Sequence, residues 1–226
     1  MDEHFYTIRM KAVQRTIEQL KKNNIQAHFI PTMAQVKTEV KARLPKGATV
    51  AVGGSVSLAE AGILDLLRNG DYAFLDRYAP NLTREDIRQI YIASFGADVY
   101  LSSVNAITEH GELYCVDGAS NRVAALLYGP QKVIIVASWD KIVPDLAHAV
   151  LRVKHIAAPA NATRLKKNTY CTEHGRCVSA RVDSEHLVAL KAGQCADTIC
   201  ANYVVMSNQR AADRMTVLIV GESLGY

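Results

Sequence analysis

Short β-branched and aliphatic runs alternate along this chain with stretches whose apolar positions recur every three or four residues, and few folds accommodate that alternation. The runs are Ala27 to Ile30, Thr49 to Val52, Tyr72 to Leu75, Val99 to Leu101, Leu113 to Val116, Val133 to Ala137, Val204 to Met206 and Val217 to Val220. Between them lie helical patterns. The first buries Phe5, Ile8, Ala12, Val13, Ile17 and Leu20 as one stripe and leaves Arg9, Lys11, Gln14, Arg15 and Lys21 to solvent. A second ends near Leu44, a third carries Leu58, Ala61, Leu64, Leu66 and Leu67, and a fourth begins at Thr83-Arg84-Glu85-Asp86 ahead of Ile87, Ile90 and Tyr91. Asn121 to Leu127 and Pro144 to Ile156 complete the set. Parallel neighbours need a crossover that a helix supplies, so this alternation argues for an α/β fold, a mainly parallel sheet flanked by helices in a Rossmann-like three-layer arrangement.

With 226 residues, 49% of them apolar and 21% charged, the chain can bury one sizeable core, and no Pro/Gly/Ser-rich linker divides it. A single domain over residues 1–226 is expected, interrupted by a less periodic, cysteine-containing excursion at about 170–200. The net charge of +4 is spread along the chain, and the few aromatic residues do not interleave with basic clusters. This pattern favours a small anionic ligand over nucleic acid. The start Met1-Asp2-Glu3-His4 lacks the basic residues of an export signal, and no run of about 18 apolar residues suggests a membrane span. An odd count of five cysteines suits a reducing, cytoplasmic setting.

Several segments carry candidate chemistry. In Val52-Gly53-Gly54-Ser55-Val56-Ser57 a strand ends in glycines and a helix begins, an arrangement that brings backbone N–H groups close to a phosphate or carboxylate. A serine-capped turn explains the same residues. Glu60, five residues beyond Ser55, faces either a pocket or solvent. Thr108-Glu109-His110-Gly111 lies between two strand-like runs, so Glu109 is either a catalytic carboxylate on a tight turn or part of a polar hairpin. Asp117, Asn121 and Arg122 place a carboxylate, an amide and a guanidinium within six residues, suited to gripping an anion; helix capping accounts equally for Asp117 and Asn121. Lys141 follows a buried-looking strand at its carboxyl end, where open α/β sheets bind ligands, and Asn161 with Arg164 forms a further polar pair. No Gly-x-Gly-x-x-Gly fingerprint follows a strand, which gives nicotinamide chemistry no support.

Cys171 and Cys177 are separated by five residues and Cys195 and Cys200 by four, looser than the usual spacing of paired zinc ligands. Free or redox-active thiols, a metal site and a disulfide all stay open, with His174 and His186 as substitute ligands. Cys115, inside a strand-like run, reads as a buried apolar residue.

Four segments together resemble the lactate-utilisation (LUD-domain) family: Gly54 to Gly62; Asn105 to Gly111 running on through Asp117-Gly118-Ala119-Ser120-Asn121-Arg122-Val123-Ala124-Ala125; Ala157 to Leu165; and Val220-Gly221-Glu222-Ser223-Leu224-Gly225-Tyr226. The resemblance implies a fold like that of the NagB/RpiA/CoA-transferase group, with ligand contacts from Gly53, Gly54, Ser55, Ser57, Asn105 and the polar residues above. It implies work on lactate or a similar organic acid with iron-sulfur redox partner subunits, and zinc or an iron-sulfur cluster at the cysteines. Thr108 to Gly111 is similar to the Ser-Glu-Asn-Gly motif of CoA transferases, whose glutamate is the nucleophile. A regulatory anion-binding module, a sugar-phosphate isomerase-like enzyme and a homo-oligomeric state stay open. Ser120-Asn121 stands where the family often has Gly-Asn, and Asp140-Lys141 where it often has Asn-Lys.

Overall fold

A computed structural model describes residues 2–181, 195 and 197–226. Helices α1 (Glu3–Lys22), α2 (Met33–Lys41), α3 (Val56–Glu60), α4 (Ile63–Arg68), α5 (Arg84–Ala93), α6 (Asn121–Leu127), α7 (Leu146–Arg152), α8 (Ala158–Arg164) and α9 (Tyr170–His174) alternate with strands. The strands are β1 (Gln26–Ile30), β2 (Thr49–Val52), β3 (Ala73–Leu75), β4 (Val99–Ser102), β5 (Ala106–Thr108), β6 (Leu113–Asp117), β7 (Lys132–Ser138), β8 (Ile142–Val143), β9 (Asn202–Met206) and β10 (Met215–Val220).

Six strands form the main sheet in the order β1-β10-β7-β4-β2-β3, and every pairing in it is parallel. The expected mainly parallel sheet with helices on both faces is what the chain forms. Its central strand shows why: successive residues of β7 point to opposite sides. Val133, Ile135 and Ala137 join a core with Val13 and Leu20 of α1 and Val123 and Leu126 of α6. Ile134 and Val136 join the opposite core with Val36 and Val40 of α2, Leu58 of α3 and Ile63 of α4. Fully burying one such side chain contributes about 1.5–3 kcal/mol, so a continuous apolar run is stable only with both faces covered.

A second, four-stranded sheet, β8-β5-β6-β9, was not expected. β6 pairs antiparallel with both β5 and β9, while β8 pairs parallel with β5. β5 and β8 are three and two residues long, too short to leave a periodic signature. This sheet packs on α7 through Ala106, Tyr114, Ala149, Val150 and Val153.

Pro144 to Ile156 forms no uniform helix. Asp145 caps α7 by accepting the His148 N–H at 2.9 Å, but residues Val153–Ala157 widen into a π turn before α8. Pro159, in the first turn of α8, has no N–H for the carbonyl four residues back and its ring crowds that carbonyl, which accounts for the widening. Among the described residues no helix is long and apolar enough to cross a membrane. Of the cysteine-containing excursion, residues 182–194 and 196, with His186 among them, lie outside the described residues.

Candidate functional site

The loops that leave the carboxyl ends of β2, β3, β4, β6 and β7 converge on a cavity of about 360 Å³. Gly54, Ser55 and Ser57 come from the first, Arg77 from the second, Ser103 from the third, Asp117, Asn121 and Arg122 from the fourth, and Lys141 from the last. Asn105 contributes from the start of the hairpin, Asn161, Arg164 and Lys167 from α8 and beyond, and Tyr226 from the carboxyl-terminal segment.

Lys141 sits at the floor, 3% exposed. Its Nζ donates to Ser57 Oγ and Ser103 Oγ, each at 3.1 Å, and it makes no ion pair among the described residues. Burial, reinforced by the neighbouring charges of Arg152 and Arg122, brings its pKa down to about 7, against weaker upward pulls from Cys115 and Glu60. Asp140, beside it in sequence, faces elsewhere. Its carboxylate pairs with Arg9 of α1 and accepts from Ser223 Oγ at 2.6 Å.

Arg122 is held mainly by protein groups. Its Nε donates to Asp117 at 3.2 Å, Nη1 to the Ser103 carbonyl at 3.0 Å, and Nη2 to Asn105 Oδ1 and the Val116 carbonyl at 3.0 and 2.7 Å. These four bonds leave one of its five N–H groups for a ligand. Asp117 also accepts the backbone N–H groups of Ala119, Ser120 and Val123, so it caps the turn into α6 as well as pairing with Arg122. Asn105 accepts from Val116 N–H at 2.9 Å. At the rim, Asn161 Oδ1 accepts from Arg164 at 2.8 Å and from the Tyr226 hydroxyl at 3.0 Å, while Arg164 Nε donates to Tyr226 at 2.7 Å. Arg77 stacks over Tyr91 and Tyr78, 4.6 and 5.3 Å from their ring centres.

Three expected contributors stand apart from the lining. Glu109 lies in the β5–β6 hairpin turn, where its carboxylate accepts Arg15 Nε at 2.7 Å. That turn rests on the end of α1, with Asn23 Nδ2 donating to the His110 carbonyl, the arrangement of the polar-hairpin alternative. Glu60 accepts Gly225 N–H at 2.7 Å and so pins the carboxyl-terminal segment. Gly53 is buried behind the cavity, and a Cβ there would meet Ser102 Oγ at 2.6 Å and Arg122 Cγ at 3.2 Å.

The cysteines do not assemble a metal centre: among the described residues no three of His, Cys, Asp or Glu converge as an ion would require. Cys171, Cys177, Cys195 and Cys200 carry no disulfide. Burial, with a smaller contribution from the neighbouring cysteines, pushes the Cys200 thiol up to about 12 and raises that of Cys171. As placed, these side chains do not fit either group.

The LUD domain model matches residues 13–220. The chain belongs to the LUD domain family. A crystal structure of a DUF162 family protein from Deinococcus radiodurans is similar over 94% of this chain and 98% of that one, at a TM-score of 0.52 and 15% identity, which speaks to the fold. Ribose 5-phosphate isomerase A from Neisseria gonorrhoeae is similar over 85% of this chain and 92% of that one, at 0.39 and 13%. The enzyme from Methanocaldococcus jannaschii is similar over 51% and 55%, at 0.35 and 12%. No match was found among curated proteins. In this LUD domain the cavity lining includes polar residues that the sequence patterns did not single out individually, among them Arg77, Ser103, Lys167, Thr198 and Tyr226. Only Tyr226 carried a signal, through the family-like segment Val220 to Tyr226.

Proposed function

We propose that this LUD domain binds a small anionic molecule, a carboxylate or a phosphate ester, in the cavity described above, as a component of organic-acid utilisation. One observation carries the reading. Arg77, Arg122, Lys141, Arg164 and Lys167 all line the cavity; Arg122 is paired with Asp117 and Lys167 with Asp197, while Arg77 and Arg164 have no ion pair among the described residues. An anion entering would meet uncompensated positive charge inside a partly enclosed, low-dielectric space, where attraction is stronger than at an open surface.

Family membership favours lactate or a related hydroxy acid as the anion, with electrons passed to iron-sulfur partner subunits. A CoA-transferase-like reaction through Glu109 is disfavoured, because that carboxylate is engaged by Arg15 in a turn outside the cavity lining. Calorimetry with lactate, ribose 5-phosphate and a CoA ester tests the reading. At least one should bind, with affinity falling as salt rises, and Arg164→Ala should weaken it. Failure of all three anions to bind at low salt would remove the proposal.

A further inference from the structure

We infer that Lys141 is a nucleophilic amine that captures the carbonyl carbon of a small 2-oxo acid as an imine. The inference rests on the anion-binding reading above and names the substrate class of the same cavity. Its basis is the surroundings of the Lys141 nitrogen. A buried lysine is ordinarily neutralised by a carboxylate, yet the nearest acids are committed elsewhere, Asp140 to Arg9 and Ser223, Glu60 to Gly225 N–H, and Asp117 to Arg122. Nζ instead meets two hydroxyl oxygens. Ser57 donates its own proton to the Leu224 carbonyl at 3.3 Å, which turns its oxygen lone pairs toward the amine.

A neutral amine has two N–H bonds and one lone pair. With both N–H bonds directed to Ser57 and Ser103, the lone pair is left for the cavity that Lys141 lines. The groups facing it are Arg152 of α7, Arg122 of α6, Cys115 of β6 and Glu60 of α3, and the two guanidinium groups together with burial favour the neutral form near pH 7. An amine poised in this way requires an electrophilic carbon. The remaining wall, with Arg164 and Arg77, requires a negative charge beside it. A carbonyl adjacent to a carboxylate meets both demands.

In the step itself, the Lys141 nitrogen attacks the carbonyl carbon and a C–N bond forms. The carbonyl oxygen leaves as water carrying the two amine hydrogens, for which the Ser57 and Ser103 hydroxyls provide a relay. No oxidant or reductant is consumed.

The test is reductive trapping. The full-length protein is mixed with pyruvate or glyoxylate and then with sodium borohydride, which reduces an imine to a stable secondary amine. Intact mass should rise by one reduced adduct, peptide mapping should place it on Lys141, and lactate, which has no keto or aldehyde carbonyl, should give none. The adduct should be lost in Lys141→Arg, with folding checked by circular dichroism. Ser57→Ala, which keeps the amine, should slow trapping. Calorimetric binding of pyruvate without any adduct would overturn the inference and leave the anion site standing. An adduct spread over surface lysines, or retained in Lys141→Arg, would overturn it as well. Absence of both binding and adduct, for these acids and for the anions named above, would remove the inference and the anion-binding reading together.

Discussion

Asp140 and Lys141 are adjacent in sequence yet serve opposite sides of the same turn: the carboxylate reaches out to Arg9 and Ser223, while the amine reaches inward to Ser57 and Ser103. The 3-10 turn Trp139–Lys141, capped by Ser138 Oγ on Asp140 N–H at 3.0 Å, separates them. The acid therefore ties α1 and the carboxyl-terminal segment to the sheet instead of neutralising the lysine. Asp140→Asn should lower stability at neutral pH by about 1 kcal/mol, modest because both partners are about a third exposed. Although burial opposes ionisation of Asp140, the Ser223 and Arg9 hydrogen bonds outweigh it and depress its pKa. Its stabilisation is thus present above the ordinary carboxylate range and disappears as pH falls through the folded-state value. Urea denaturation of both proteins across pH should show the difference closing in acid.

Lys141 predicts a trend of the same sign in a higher pH window. Its folded pKa is about 7 and its unfolded value 10.5, so between these limits the unfolded chain binds the extra proton. Stability attributable to this residue should therefore rise from pH 7 toward pH 10.5, and below pH 7 the full cost of burying the charge should apply. Lys141→Met removes the titration, and its denaturation profile should be flatter over that window. Parallel profiles for the two proteins would contradict the assignment.

Ser120 opens α6 with φ at 66°, in the left-handed region that glycine occupies without a Cβ penalty. Asp117 Oδ1, accepting the Ala119 and Ser120 N–H groups, holds the strained turn in place. Ser120→Gly should stabilise the protein by roughly 1 kcal/mol, the relief of left-handed strain less the added freedom of the unfolded chain. Chemical denaturation measures the change directly.

Gly53 and Gly54 should respond differently to alanine. The added methyl at position 53 collides with Ser102 Oγ at 2.6 Å and presses on Arg122, whereas at position 54 the nearest atom is 3.5 Å away. Gly53→Ala should cost about 1–3 kcal/mol and weaken anion binding through Arg122. Gly54→Ala should fold normally, as thermal melting with and without ligand would show.

Glu109→Gln should leave anion binding unchanged. The carboxylate it alters serves Arg15 outside the cavity lining, and calorimetry of the variant should overlay that of the wild type.

Much of this architecture was readable in the residues, and the exceptions have physical causes. β7 was legible because both of its faces are buried, making Val133 to Ala137 an unbroken apolar run. β5 and β8 were not, because strands of three and two residues are fixed by their partners and have no local pattern. Lys141 was found from its place after a buried strand, but its lowered pKa comes from burial and then from Arg152 and Arg122, which approach only in three dimensions. Arg122 was expected to grip a ligand; four of its contacts are instead to the Asp117, Ser103, Asn105 and Val116 groups around it, a commitment that sequence spacing does not reveal. Glu109 lies outside the cavity lining, which the residue types could not foretell, because a catalytic turn and a hairpin turn use the same ones.

The strand order has a consequence for how the molecule comes into being. β10 is the last strand in the chain, yet it lies between β1 and β7. Emerging from a ribosome, the first of these must wait for nearly the whole sequence before gaining its neighbour, and until then the sheet is split with two apolar edges bare. Leu224 and Tyr226, which complete the floor and rim, follow β10. The candidate cavity therefore cannot close until β10 and the segment after it have been made, and a nascent chain that lacks them presents only part of its wall.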